Sequence, residues 1–172
     1  LATLQARFSE LPIVAEDLGV ITDEVRQLRR KYDLPGMAVL QFAFDHFSDN
    51  PHKPANITAD TIAYTGTHDN DTCVGWFEGL EAHEKDFVFQ ILGVPAAGGI
   101  SDLMIKTALD SQARLAIAPL QDFLGLGREA RMNTPGVGEG NWRWRFDWDM
   151  LGQELTDRIR STIAASGRMH AR

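Results

Sequence analysis

The chain has 172 residues and a formal charge of −7, with 44% apolar, 24% charged and 9% aromatic side chains. This is the length of one domain with enough apolar matter for a core, and it excludes disordered and fibrous classes. The acidic excess lies in residues 1–90 and neither half is a basic patch able to displace counterions, so nucleic acid and anionic membranes are poor partners and a neutral ligand fits better.

The most apolar stretch, Phe87 to Ile100, is broken by Gln90, Gly93, Pro95, Gly98 and Gly99 and is too short to span a bilayer. The opening residues read as neither a signal nor a transit segment. The single cysteine, Cys73, cannot close an intrachain disulfide, which suits a cytoplasmic protein.

In chain order, Leu1, Leu4, Phe8 and Leu11 keep a helical period that reads as a helix already under way, so the chain is expected to be a portion of something longer. Four short β-leaning runs follow: Pro12 to Ala15, Met37 to Phe44, Thr61 to Thr65, and Leu115 to Pro119. A helix over Asp23 to Tyr32, capped by Thr22 and stopped by Pro35-Gly36, separates the first two. Helices over Glu81 to Leu92 and Ser101 to Gln112, the second capped by Ser101, separate the last two. After Gly125 glycines interrupt the chain. Trp142, Trp144 and Trp148 then alternate at strand spacing, and Met150 to Ala164 reads as a closing helix. Strands that are continuously apolar and alternate with helices imply an α/β protein with parallel strands buried on both faces.

Two of the runs end in acids. The first leads into Ala15-Glu16-Asp17-Leu18-Gly19, and the third into Thr65-Gly66-Thr67-His68-Asp69-Asn70-Asp71-Thr72. In parallel α/β folds the carboxyl ends of strands face the ligand crevice. Paired carboxylates there, with Asn and His as donors and aromatics nearby, suit glycosidic-bond chemistry. Blander readings exist for each feature. Glu16-Asp17 could cap a helix, and Asp69-Asn70-Asp71 could form a turn. A calcium loop is disfavoured by the missing glycine and terminal glutamate. Gly136, Gly138 and Gly140 lack the flanking strand and helix of a phosphate loop. The tryptophans read as a packed face, and Cys73 as a small buried residue.

Taken together, Ala15-Glu16-Asp17-Leu18-Gly19, Pro35-Gly36-Met37 with Val39 to Phe44, and Tyr64 to Thr72 closely resemble amylomaltase, the 4-alpha-glucanotransferase family. The similarity continues through Pro119, Gln121-Asp122, Leu124 to Gly127, Ala130 to Asn133, Pro135-Gly136, Asn141-Trp142 and Trp144-Arg145. The resemblance implies that residues 1–172 are the C-terminal part of a (β/α)8 TIM barrel of the α-amylase type, covering roughly its fifth to eighth strands. It further implies retaining transfer between α-1,4-glucans, with a maltodextrin donor and a glucose or maltodextrin acceptor.

On the family's motifs, Glu16 would be the acid/base and Asp69 the transition-state stabiliser. His68 would hydrogen-bond the same sugar as Asp69, Asn133 would contact substrate from the Arg131-Met132-Asn133 loop, and Phe42 and Asp45 are weaker substrate candidates. The family's nucleophile, an aspartate in an Arg-x-Asp-His stretch before the acid/base, is not among these residues. Phe44-Asp45-His46-Phe47 contains Asp-His but has Ala43 in place of the arginine and follows the wrong strand. The chain alone is therefore expected to be inactive without the missing N-terminal part of the same enzyme. An α-glucan hydrolase and a non-catalytic sugar-binding or subunit-forming piece are the alternatives. No cofactor and no metal are indicated.

Overall fold

The computed structural model describes residues 1–8, 13–94 and 99–169. Three parallel strands, β1 (Gly36–Val39), β2 (Thr61–Tyr64) and β3 (Leu115–Ile117), lie side by side in chain order. Gly36 faces Thr61 and Val39 faces Tyr64 in the first pair, and Ile62 faces Leu115 in the second. The helices are α1 (Ala2–Gln5), α2 (Asp23–Lys31), α3 (Cys73–Glu78), α4 (Ala82–Leu92), α5 (Gly99–Asp110), α6 (Leu120–Phe123) and α7 (Gln153–Ala165). None of the described helices is long and apolar enough to cross a membrane.

The core forms between β1–β2 and the helices that follow β2. Ala38 and Ala63 are register partners and fully buried, and such small side chains let helices approach the sheet closely. Leu40, Ile57, Cys73, Val88, Ile100, Met104 and Ala108 close over them. On α5 the residues Ile100, Met104, Ile105, Ala108 and Leu109 recur at helical spacing, which gives the helix one face to bury. Its C-terminal end is closed by Arg168, which donates to the carbonyls of Leu109, Ser111 (2.8 Å) and Ala113 (2.9 Å). A cation there suits the partial negative charge of a helix C-terminus. At α4, Glu81 and Glu84 satisfy each other's exposed N–H groups in a capping box.

Several expected elements differ. Residues 13–15 of the first expected strand form no strand, and Pro12 lies outside the described residues, as does Leu11 of the opening helical pattern. The segment does run beside β1, but only one backbone bond, from Ala15 N–H to the Pro35 carbonyl (2.9 Å), joins them. The next amide of β1, at Met37, donates instead to the Asp17 carboxylate (2.7 Å), so a side chain replaces the ladder. The second run stops at Val39, because its N–H is taken by His52 Nδ1 (3.1 Å) and Leu40–Phe42 turns into a 3-10 helix. No α-helix separates β1 from β2. Leu115 and Ile117 are exposed rather than covered on both faces, as β3 pairs with β2 alone among the described residues. Thr22 stands at the α2 N-terminus without a side-chain capping bond. Ser101 lies inside α5, which begins two residues earlier, and is buried rather than capping. Trp142 to Trp148 form no strand.

Among the described residues the most enclosed carboxylate is that of Asp122, 1% exposed at α6. Its Oδ2 accepts from the Thr65 hydroxyl (2.6 Å) and its Oδ1 from the Cys73 N–H (2.8 Å). Burial and this carboxylate push the Cys73 thiol well above its ordinary range, so it stays protonated. Asp122→Ala would strand two buried donors and is expected to cost about 3 kcal/mol, read as a lower urea midpoint at unchanged slope.

Candidate active site

A cleft of about 1240 Å³ opens at the C-terminal rim of the sheet. Its walls come from just beyond each strand: Gln41 and Phe42 after β1, Gly66 to Asp71 after β2, and Pro119 after β3, with Glu16 and Leu18 beside them. Parallel strands that end together aim their following loops at one place, which is why acids from distant sequence converge.

Glu16 is exposed in this cleft, whereas its neighbour Asp17 turns inward. Asp17 accepts from Met37 N–H, lies 3.4 Å from Arg29 Nε, and leaves so little room at Gly36 that a Cβ there would sit 2.4 Å from Asp17 Oδ2. Arg29 also pairs with Asp60 at 3.0 Å. Successive side chains of an extended segment point to opposite sides, so fixing Asp17 inward directs Glu16 outward. Across the cleft, burial and then the negative charge of Glu16 raise the Tyr64 hydroxyl above its ordinary value.

Asp69 and His68 sit on the loop after β2. Asp69 Oδ1 accepts from Asn133 Nδ2 (2.6 Å) and lies 3.3 Å from His68 Nε2. Its Oδ2 has no hydrogen-bond partner among the described residues, and Asp69 lines the cleft. The loop is braced from within: Asn70 Oδ1 accepts from the Thr67 N–H and hydroxyl, and Gln41 Nε2 donates to the Asp71 carbonyl (2.8 Å). The Asp71 carboxylate is held within the wall, with Oδ2 taking Arg128 Nε (2.8 Å) and Oδ1 taking the Thr72 N–H. The Thr72 hydroxyl then caps α3 by accepting from Gly75 N–H, and a Cβ at Gly75 would lie 2.6 Å from Asp71 Oδ1. Asn133 is outside the main cleft lining and reaches the site through Asp69.

Phe42 lines the cleft, exposed, with its ring edge against His52 at 5.6 Å. Asp45 does not line it. Its carboxylate instead gathers Asn50 Nδ2 (2.9 Å), Phe47 N–H (3.1 Å) and Lys53 (3.4 Å), and although desolvation opposes them these partners hold it below the ordinary carboxylate range. Asp45 therefore organises the loop that follows β1.

Trp142, read from the sequence as part of a packed face, stands free of one. It is 51% exposed, its ring centroid lies 5.2 Å from that of His68, and its φ of 62° is in the left-handed region. Asn141 closes the preceding loop by accepting from Thr134 N–H (2.9 Å) and donating to the Val137 carbonyl (2.8 Å). The clue in the sequence was the placement of Asn141-Trp142 directly after Gly140 rather than the alternation of tryptophans. Among the described residues no cluster of three or more His, Cys, Asp or Glu could hold a metal ion.

The profile of one protein family, described as 4-alpha-glucanotransferase, matches residues 1–151. The chain belongs to the 4-alpha-glucanotransferase family. It is 48% identical to the 4-alpha-glucanotransferase of Synechocystis over 92% of this chain and 32% of that protein. With the Thermus thermophilus 4-alpha-glucanotransferase it shares 46% identity over 96% of this chain and 35% of that protein. Among solved structures it is similar to the amylomaltase of Streptococcus agalactiae in complex with acarbose, at a TM-score of 0.92 and 30% identity over 98% of this chain and 34% of that one. The chain thus spans about a third of the length of these family members.

His52, whose ring packs against that of Phe42, offers a pH test. Burial lowers its pKa below 6.5 despite the opposing charges of Asp17 and Asp45, and its Nδ1 must be unprotonated to accept from Val39 N–H. The unfolded chain therefore binds the proton more readily, so this stabilisation is complete above pH 6.5 and is lost as pH falls toward the folded value. Thermal midpoints measured across that range should decline on the acid side, and His52→Gln should flatten the decline.

Proposed function

We propose that these residues form the acid/base side of a retaining glucanotransferase site acting on α-1,4-linked glucans. The observation that carries this reading is that Glu16, Asp69, His68 and Phe42 line one cleft in a chain of this family. In this reading β1, β2 and β3 are the sixth to eighth strands of a (β/α)8 barrel, residues 13–17 run where the fifth would, and residues 1–172 are its C-terminal part. The nucleophilic aspartate then comes from chain preceding Glu16.

Retaining transfer runs through two displacements with carboxyl groups about 5 to 5.5 Å apart. Glu16 protonates the departing glycosidic oxygen while the nucleophile attacks the anomeric carbon. It then takes the proton from the acceptor sugar's hydroxyl as that oxygen displaces the nucleophile. Asp69 accepts from sugar hydroxyls through its open Oδ2 and faces the positive charge that develops on the ring. His68 and Asn133 hold Asp69 Oδ1, which leaves the other oxygen for substrate. The rings of Phe42 and Trp142 offer apolar faces for a pyranose. Acetal exchange of this kind needs no cofactor, and a cleft that excludes water favours the acceptor sugar over hydrolysis.

The test joins residues 1–172 to the upstream part of the Thermus thermophilus relative, incubates the protein with maltotriose and separates the products by chromatography. Glucose together with maltodextrins longer than the substrate is expected. Glu16→Gln and Asp69→Asn should each slow their formation by about 10³-fold. The 172-residue chain alone should form none, and transfer by it would overturn the assignment of the nucleophile to preceding chain. Glucose and maltose without longer products would make the protein a hydrolase.

A further inference from the structure

The side chains of Asp69 and Asn133 meet across two loops that belong to no helix or strand. A bond between partly exposed side chains on loops fixes neither of them well, because water competes for both groups and each must give up rotamer freedom. The main chains beneath them are held more firmly. Arg131 Nη2 donates to the backbone carbonyl of Asp69 (2.7 Å), and its Nε donates to the backbone carbonyl of Asn133 (2.9 Å). One guanidinium therefore grips the main chain of both residues whose side chains touch. Asn133 N–H adds a bond to the His68 carbonyl (3.1 Å), so the two loops are joined at His68 as well.

The charge on Arg131 is also accounted for. Its Nη1 lies 3.9 Å from Asp71 Oδ2, the carboxylate oxygen already taken by Arg128. Arg128 is 68% exposed and Arg131 only 25%, which makes Arg131 the inner member of the pair. A guanidinium presents its donors in a rigid plane, so the separation of two acceptors bound to it is set by covalent geometry; an ammonium on a flexible stem fixes no such separation.

We propose that Arg131 is a positioning residue for glucan transfer, whose planar fork sets the spacing of the Asp69 and Asn133 main chains and so aims the Asp69 carboxylate into the cleft. The inference rests on the reading of Asp69 as the sugar-facing acid. Arg131 also lines the cleft, and its role in this proposal is exerted through the pair it spans.

The experiment uses the joined protein described above with maltotriose as substrate. Arg131→Lys keeps the charge but loses the fork, and it should lower kcat by about 10²-fold with little change in KM, as expected when a transition-state group is displaced while ground-state binding survives. In an Asn133→Ala background, where the pair no longer exists, the same substitution should lower kcat by less than about 3-fold. A purely structural role would give the same loss in both backgrounds and overturns the proposal, as does an unchanged kcat. If Arg131→Lys melts below the assay temperature, Arg131→Gln at a lower temperature serves the same comparison. Asp69→Asn is assayed beside them. If it transfers normally, the reading of Asp69 fails and the proposal with it. If it is inactive while Arg131→Lys is fully active, the proposal alone fails.

Discussion

The carboxylate of Asp122, enclosed at the C-terminal rim of the sheet, decides where the loop carrying His68 and Asp69 can begin and end. One oxygen takes the hydroxyl of Thr65, the first residue past β2, and the other takes the amide of Cys73, the first residue of α3. Between these two points lie residues 66–72, whose ends are thereby tied to one group. A carboxylate withdrawn from water must keep its hydrogen bonds, so neither end of the loop can drift without exposing a buried charge to an apolar setting. The same acid keeps the neighbouring Cys73 thiol protonated, so this sulfur fills space and carries no charge into the core.

Short strands make such ties necessary. With three or four residues in each strand, little of the site stands on regular structure, and the functional side chains belong to loops. Side chains take over the work that a backbone ladder does elsewhere: Asp17 serves Met37, His52 serves Val39, and Gln41 serves the Asp71 carbonyl. These three hydrogen bonds are partly buried, so the cleft is polar at its mouth and braced behind it. Glu16 and Asp69 consequently line one cleft, while the carboxylates of Asp17 and Asp71 are paired with Arg29 and Arg128.

The parts of this arrangement that the sequence reveals are those governed by local pattern. The β2 and β3 runs begin where their apolar residues begin, and α4 ends where its period ends, because burial of one face is a local consequence of spacing. The polar run after Thr65 marks the site for the same reason. What the sequence conceals depends on partners far along the chain. Nothing near Pro12 to Ala15 announces that Asp17 replaces a strand's carbonyl, and nothing near Asp45 announces that Asn50 and Lys53 claim it for a loop. Arg131 stands in a recognisable motif, yet its two carbonyl partners are visible only once the loops are placed together. Trp142 was misjudged because alternation suggested a strand, whereas a loop closed by Asn141 presents the ring alone.

Gly75 illustrates how such long-range ties bear on protein engineering. As a residue within α3, it would ordinarily be a candidate for replacement by alanine, since helices favour alanine by about 1 kcal/mol. Here the added methyl would press on Asp71 Oδ1 at 2.6 Å and on the Arg128 amide nitrogen at 2.9 Å. Stabilising the helix would thus unseat the acid that braces the neighbouring loop. A campaign guided by helix propensity alone would trade the cleft's geometry for thermal resistance at this position, and the two aims have to be pursued on other surfaces of the chain.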